Sequence, residues 1–215
     1  MIPKIIHQIW IGSSEMPDRE KKFCKKIKES HPDWDYIFWD NEKVSNLNPI
    51  FQKKIRLIAE KTQTPSFVVD YIKLVLLYEY GGVFLDVDFD IISSLNDLNL
   101  NKRLIVSRDD RPSGRYLQFG FAASTKKHEF IENILFNLKY KSNLLYLPTF
   151  FSKCFKEMYF HPIQNKYSVF LDFISGKNIY DDIEILDRSF FFKGKIAKHY
   201  NLHSHKPKKK HLFKI

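Results

Sequence analysis

Three aspartates at alternate positions of an apolar segment are the residues of this chain best suited to chemistry. In the sequence GGVFLDVDFD, Asp86, Asp88 and Asp90 follow the apolar run Val83–Leu85. Side chains at i, i+2 and i+4 of a strand share one face, so a continuous strand would hold these charges about 6–7 Å apart. Carboxylates at that spacing repel one another, and burial raises their cost. We therefore expect a positive charge among them.

A divalent cation is the simplest compensating charge. Mg²⁺ and Mn²⁺ prefer carboxylate oxygens, and one or two carboxylates often hold them together with substrate phosphates. Two other interpretations remain open: a solvent-facing acidic strand, and an aspartyl-nucleophile phosphatase, which would place a hydroxyl residue where Asp90 stands. A calcium-binding EF-hand loop fits poorly, because its sixth position requires glycine and here holds Ile91.

The segment before the aspartates predicts a buried helix that carries two charges. Its sequence FVVDYIKLVLLYEY is apolar on almost every side, with a start signal at Thr64–Pro65 and a stop at Gly81–Gly82. Asp70 and Lys73 lie three positions apart, on one face of this helix. They form either an internal ion pair or a polar site, with Asp70 on sugar hydroxyls and Lys73 on phosphate or the sugar.

The remaining chain alternates strand and helix patterns. The order strand, helix, strand at its start is typical of an α/β unit and favours a parallel sheet. After residue 141 the periodicity weakens, and we expect short helices and loops. With no repeat and no clear boundary, residues 1–215 are predicted to form one domain. Strands are predicted at 4–11, 35–40, 104–107 and 119–123, and helices at 18–30, 49–61, 66–80 and 128–140.

The net charge of +10 is concentrated at one end of the chain. Residues 193–215 contain eight lysines and no acidic residue, which leaves about +2 for the rest. Such a tail either binds an acidic partner, which could be a membrane surface, a nucleic acid or a phosphorylated substrate, or is simply solvated.

Two further features bear on location. Cys24 and Cys154 are far apart and belong to no CxxC motif, which favours a reducing cytoplasm over a disulfide framework. The opening residues are too polar for a signal peptide, and no run of ~18 apolar residues occurs. We therefore expect a cytoplasmic protein, with any membrane contact peripheral, at the inner face and through the basic tail.

The pattern D-Y-x-[RK]-x3-L-Y-x2-G-G-x3-D-x-D, from Asp70 to Asp88, resembles the sugar-binding region of the DXD-containing glycosyltransferases. The resemblance is closest to the family of the yeast-type initiating α-mannosyltransferase, capsular sugar transferases and clostridial glucosylating toxin domains. IPKIIHQIWIG and HPDWDYIFWD resemble the first two strands of that family, and QFGFAASTKKHEF resembles a later segment that approaches the acceptor. The resemblance covers roughly residues 1 to 130.

The resemblance implies a fold and an activity. The fold is a GT-A-like, Rossmann-type nucleotide-sugar-binding α/β sheet with helices on both faces. The activity is Mn²⁺- or Mg²⁺-dependent sugar transfer, with retention, to a hydroxyl of a glycan or lipid-linked glycan, in surface polysaccharide or glycoconjugate synthesis. A UDP-sugar is the favoured donor and GDP-mannose the second choice, and no nucleic-acid partner is expected. The alternative is a protein that binds anionic membranes or nucleic acid and has a non-catalytic acidic metal site.

The resemblance also implies residue roles. Asp88 would be the main metal ligand, Asp86 would contact sugar, ribose or metal, and Asp70 would hold sugar hydroxyls. Trp10 would either stack on the base or belong to the core. Other residues expected at the donor are Ile9, Ile11, Tyr71, Lys73 and Gly82, and those expected near the acceptor are Asp90 and Gln118.

Two departures from the family pattern stand out. Arginine is usual where this chain has Lys73, and a point charge replaces a bidentate fork, so donor affinity or geometry is expected to differ. The family often closes its site with a His-rich segment ending in Ser-Trp, whereas here Ser204 precedes His205. His199 or Asn201 could complete the metal shell. We interpret residues 193–215 as a closing lid, with an ordinary polar tail as the alternative.

Overall fold

A six-stranded sheet organises the residues that the structure describes. This computed structural model describes residues 1–61, 65–108, 117–140, 147–159, 182–186, 189–192 and 196–200. The strands, in chain order, are β1 (Ile5–Ile9), β2 (Asp35–Trp39), β3 (Gly82–Leu85), β4 (Phe89–Ile91), β5 (Leu104–Arg108), β6 (Leu117–Ser124), β7 (Ile183–Leu186) and β8 (Ala197–His199). The large sheet has the order β2-β1-β3-β6-β5-β7, and β4 and β8 form a small second sheet.

Most strand pairs of the large sheet are parallel. β1 pairs in parallel with β2 and β3, and β5 pairs in parallel with β7. β6 runs antiparallel to both β3 and β5. The expected parallel sheet is therefore confirmed for the first three strands and corrected at β6.

Helices cover both faces of this sheet, as the GT-A-like expectation requires. Within β3, Phe84 packs against the larger helical core, whereas Val83 and Leu85 belong to the core on the opposite face. This alternation is what a strand buried on both faces shows. One face carries α3 (Pro49–Lys61), α4 (Pro65–Tyr80), α5 (Glu129–Tyr140) and α6 (Leu147–Tyr159), and the other carries α1 (Asp18–Ser30); α2 (Asn41–Ser45), a turn of helix at Ser189–Phe192 and a 3₁₀ turn at Leu95–Asp97 are short.

The helix α4 begins and ends where its sequence signals predict. Two glycines with positive φ, Gly81 at +71° and Gly82 at +90°, reverse the chain into β3. The buried ring of His7 holds this turn: its Nε2 donates to the Gly81 carbonyl (2.9 Å), and its Nδ1 accepts from the Trp39 indole (3.1 Å). Burial lowers the pKa of His7 to about 4, against the raising effect of the Gly81 carbonyl, so the ring is neutral at pH 7.

Substituting Gly82 by alanine is expected to lower the free energy of unfolding by about 2 kcal/mol, because a Cβ atom there meets both strain and a clash. It would lie 2.6 Å from the Ile5 carbonyl oxygen and 2.9 Å from the Ile5 Cβ. Gly12 also has positive φ (+111°), but a Cβ atom there meets nothing within 4 Å. Urea unfolding of Gly82→Ala, compared with the control Gly12→Ala, separates the backbone strain from the clash. Equal losses in the free energy of unfolding would mean that the clash at β3 contributes nothing.

The region after residue 141 contains more regular structure than its weak periodicity predicts. α6 is a 13-residue helix, and β7 adds a parallel strand beside β5 at the edge of the sheet. Phe151, Cys154 and Phe155 are buried at i, i+3 and i+4 of α6, a helical pattern present in the sequence. β7 has only four residues, so pairing with β5 rather than local sequence defines it.

Candidate functional site

The acidic segment is interrupted by a turn and is not the continuous strand that alternation predicts. β3 ends at Leu85, residues 87 and 88 form a turn, and β4 begins at Phe89 in the other sheet. The amide of Phe89 donates to the Asp86 carbonyl (3.2 Å), while the Asp86 amide donates to the carbonyl of Gly120 on β6 (2.8 Å). That prediction was therefore wrong, and the three carboxylates do not line one strand face.

Buried side chains fix the turn. Val87, between the two aspartates, is 4% exposed and packs in an apolar cluster with Trp10, Met16 and Cys24. On the other side, the amide nitrogen of Gln8 donates to the Asp86 carbonyl (3.3 Å). The positions of Asp86 and Asp88 are consequently set by the core and not by a mobile loop.

A single lysine joins the helix to the turn. The Lys73 ammonium lies 2.9 Å from Asp70 Oδ1 and 2.8 Å from Asp86 Oδ1, and it donates to the Phe119 carbonyl at 3.1 Å. These three acceptors match its three protons. Part of the positive charge expected among the aspartates is therefore Lys73 itself, and its predicted contact with phosphate stays a prediction.

The charges of Lys73, Asp70 and Asp86, which we call the Lys73 triad, affect one another's pKa values. Burial lowers the pKa of Lys73, but Asp70 and Asp86 outweigh it, so the net pKa lies above its usual value. Burial raises the pKa of Asp70, and Lys73 opposes that rise. The lysine is thus charged across the physiological range, whereas the net pKa of Asp70 stays above its usual value because burial outweighs the effect of Lys73.

The third aspartate has a different partner. Asp90 on β4 forms an ion pair with Lys26 of α1, with Nζ and Oδ1 2.7 Å apart. Asp90 therefore pairs with Lys26 and not with Lys73. Its predicted contact with the acceptor stays a prediction.

The C-terminal segment is brought to the acidic turn. β8 pairs antiparallel with β4, so that the backbone of His199 lies opposite Phe89. The amide of Tyr200 then donates to the Asp88 carbonyl at 3.3 Å. β8 therefore lies beside the acidic turn, and the predicted role of residues 193–215 as a closing lid stays a prediction. Residues 201–215, including Asn201, His203, Ser204 and His205, lie outside the described residues, as does the side chain of His199.

A divalent cation fits the two aspartates of the turn. Asp88 is 7% exposed, and the side chain of Asp86 is 30% exposed, with only its Oδ1 on Lys73. Two carboxylates plus substrate phosphates form a donor set that Mg²⁺ or Mn²⁺ accepts. Within the described ranges no group of three or more metal-binding side chains occurs. The other ligands of such a cation would be phosphates, water or residues outside those ranges.

The residues predicted around the base and sugar are mostly buried. Trp10 is 9% exposed and its Nε1 donates to the Ser14 carbonyl (2.8 Å), so its ring belongs to the apolar cluster beside Val87. Stacking on a base stays a prediction. Ile9, Ile11 and Tyr71 lie in the larger core, Gly82 forms the turn, and Gln118 lies on β6 opposite Ser107, with its side chain outside the description.

Two contributors were missed by sequence reasoning. Gln8, buried in β1, receives a hydrogen bond from Tyr36 (2.8 Å) and donates to Asp86. A polar residue inside the run IIHQI was the available signal. No sequence signal pointed to Lys26, because its partner Asp90 is 64 positions away.

Comparisons with known proteins find glycosyltransferases. Residues 17–105 match the family model "Glycosyltransferase sugar-binding region containing DXD motif". Inositol phosphoceramide mannosyltransferase 1 of Schizosaccharomyces pombe is 31% identical over 148 residues, which cover 64% of this chain and 43% of that protein. A mannosyl phosphorylinositol ceramide synthase of Saccharomyces cerevisiae is 27% identical over 152 residues, 69% of this chain and 38% of that protein. The chain thus spans less than half the length of these relatives.

The fold also has a solved counterpart. The structure named PaToxG Glycosyltransferase matches with a TM-score of 0.61 at 19% identity, covering 80% of this chain and 73% of that one. This likeness shows the GT-A-like fold. None of the described helices is long and apolar enough to cross a membrane.

Proposed function

We propose that this chain, which belongs to the DXD-containing glycosyltransferases, transfers a hexose from a nucleotide diphosphate sugar to a hydroxyl of a glycan or lipid-linked acceptor. One observation carries the proposal: the core-anchored turn that holds Asp86 and Asp88 directly beyond β3. Its position is informative because open α/β sheets bind ligands outside the carboxyl ends of their strands, where the strand order reverses. That reversal lies between β1 and β3, the strands that end next to Trp10 and Asp86.

We assign the residue roles from the arrangement at the carboxyl ends of β1 and β3. Asp70 and Asp86, oriented by Lys73, accept hydrogen bonds from hydroxyls of the donor through the oxygens that Lys73 does not hold. Asp86 and Asp88 are the residues that would hold a divalent cation, which supplies positive charge for the leaving diphosphate. The chain itself positions the donor and keeps this charge arrangement rigid, since Val87 and Gln8 fix the turn.

We propose that transfer retains the anomeric configuration. Asp70, Asp86 and Asp90 are each engaged by a lysine, which weakens them as nucleophiles. The acceptor hydroxyl is therefore assigned front-face attack: its oxygen bonds to the anomeric carbon, the bond to the diphosphate oxygen breaks, and the proton passes to that departing oxygen. Product analysis by NMR distinguishes the α and β anomers.

The relatives' names favour mannose as the transferred sugar. GDP-mannose, which sequence reasoning placed second to a UDP-sugar, therefore becomes an equal candidate. The names also favour an acceptor with a phosphorylated lipid. Membrane contact through the basic tail stays a prediction, because most of residues 193–215 lie outside the described residues.

Calorimetric titration with UDP and GDP, each with Mn²⁺ and with EDTA, tests the proposal. One nucleotide is expected to bind at least about tenfold more tightly with Mn²⁺, because a cation between two carboxylates and a diphosphate neutralises both. Failure of both nucleotides to bind in Mn²⁺ would contradict the proposal. It would favour the alternative of a protein that binds anionic surfaces through its tail.

A further inference from the structure

Two cations lie on one aromatic ring beside the acidic turn. The Cζ atom of Arg19 is 4.1 Å from the centroid of the Tyr200 ring, and Lys198 Nζ is 4.9 Å from it. The Phe23 ring stacks on Tyr200 with centroids 5.4 Å apart and planes 15° apart. The two charges are therefore held no more than about 9 Å from each other.

This cluster belongs to the rim of the site. Tyr200 is the residue whose amide donates to the Asp88 carbonyl, and Lys198 lies opposite Asp90 in the β4–β8 ladder. Arg19 and Phe23 are on α1, four positions apart and hence on one helix face. The cations thus lie beyond Asp88, on the side where the chain continues into β4.

Carboxylates of the described residues do not balance the charge of this rim. Asp90, the acidic residue across the ladder from Lys198, is already in an ion pair with Lys26 at 2.7 Å. Among the residues that the structure describes, no carboxylate lies within ion-pair distance of Arg19 or Lys198. Two like charges on one ring repel each other, and a π face compensates them less than an anion does. An anionic group of a ligand would remove this imbalance.

We propose that Arg19 and Lys198 bind a phosphate group of the acceptor; this assignment rests on the proposed glycosyl transfer. Guanidinium and ammonium groups make charge-assisted hydrogen bonds to phosphate, and arginine does so in a bidentate manner. The donor diphosphate is a second source of the same chemistry, but its charge would be neutralised by the divalent cation that Asp86 and Asp88 would hold. The Arg19–Lys198 pair lies beyond Asp88, beside the β4–β8 ladder, and we therefore assign it to the acceptor and not to the donor. The acceptor class is therefore a phosphorylated polyol or a phospholipid headgroup.

The test is calorimetric binding of inositol 1-phosphate and of myo-inositol to the full chain, saturated with its nucleotide and Mn²⁺. The variants are Arg19→Gln and Lys198→Gln, singly and together. Lys22→Gln is the control, because Lys22 is an exposed lysine of the same helix with the same charge. We expect the double variant to weaken inositol 1-phosphate binding at least about tenfold, with nucleotide affinity and Lys22→Gln binding unchanged. Wild type should bind myo-inositol much more weakly than its phosphate.

Three results overturn the assignment. Equal affinity of wild type and double variant for inositol 1-phosphate would make the cluster a structural clamp on Tyr200. A parallel loss of nucleotide affinity would assign the cations to the donor diphosphate. Equal weakening by Lys22→Gln would reveal only a general charge effect. Failure of the proposed function itself is distinct, since wild type would then bind neither UDP nor GDP in Mn²⁺.

Discussion

Replacing Asp88 by asparagine is expected to reduce sugar transfer about 10³-fold and to abolish metal-dependent nucleotide binding. The substitution keeps the shape of a side chain that is only 7% exposed, but it removes the negative charge that a cation at the turn requires. Losing one electrostatic contact to a developing charge typically costs about 10²–10³ in rate, and losing the cation as well places the effect at the upper end. Transfer assays and Mn²⁺-dependent calorimetry measure both effects.

Asp97→Asn is the matched control for this substitution. Asp97 is an exposed aspartate in the 3₁₀ turn that follows β4, so its replacement changes the net charge equally without touching the site. Thermal unfolding with and without Mn²⁺ adds a readout besides activity, since a ligand that binds only the folded state raises its stability. If Asp88→Asn were stabilised by Mn²⁺ as strongly as Asp97→Asn, the turn would not be the metal site.

The helix and its charged face could be predicted because their signals are local. Thr64–Pro65, the apolar run and two glycines define α4 within a few positions, and the three-residue spacing of Asp70 and Lys73 follows from helical geometry. The turn that breaks the acidic segment could not be predicted in this way. Val87 and Phe89 alternate with the aspartates, which is the pattern of a strand, so the local sequence favours an extended chain.

Long-range contacts determine the conformation of the acidic segment. The hydrogen bond from Asp86 to Gly120 and the packing of Val87 on Trp10 join residues that are more than 30 positions apart. Such contacts leave no periodic trace in a single sequence. The same holds for the pairing of β8 with β4, which carries Tyr200 to Asp88 across more than 100 positions. The candidate residues could therefore be chosen from their types and spacing, whereas their geometry depends on tertiary structure, and their roles stay predictions.

Replacing Lys73 by methionine is expected to lower the free energy of unfolding by about 3 kcal/mol. Removing one member of a buried ion pair leaves an uncompensated charge, which costs about 3–5 kcal/mol when burial is complete. The lower end applies, because the Asp86 side chain is 30% exposed and water reaches it. Urea unfolding at pH 7 measures the loss. Lys21→Met, which removes the exposed lysine near Glu15 and Asp18, is the control and should cause no measurable change.

The pH dependence of Lys73→Met identifies the cause. Burial already raises the pKa of Asp70, and loss of the opposing lysine raises it further. A carboxyl with a higher pKa in the folded state binds more protons folded than unfolded, so stability increases as the pH falls from 7 toward its unfolded pKa of about 4. The variant should therefore regain stability relative to wild type on acidification.

A double-mutant cycle with Asp70→Asn separates charge from packing. If the uncompensated Asp70 carboxylate causes the loss, Asp70→Asn combined with Lys73→Met should be more stable than Lys73→Met alone. Rescue should be incomplete, because Asp86 still lacks its lysine. Additive losses that do not change with pH would instead mean that Lys73 acts through its apolar stem against Phe84 and Phe119, the two rings its ammonium approaches at 4.8 and 5.4 Å. In that case another contact would have to orient the carboxylates, and the role assigned to Lys73 in positioning the donor would be wrong.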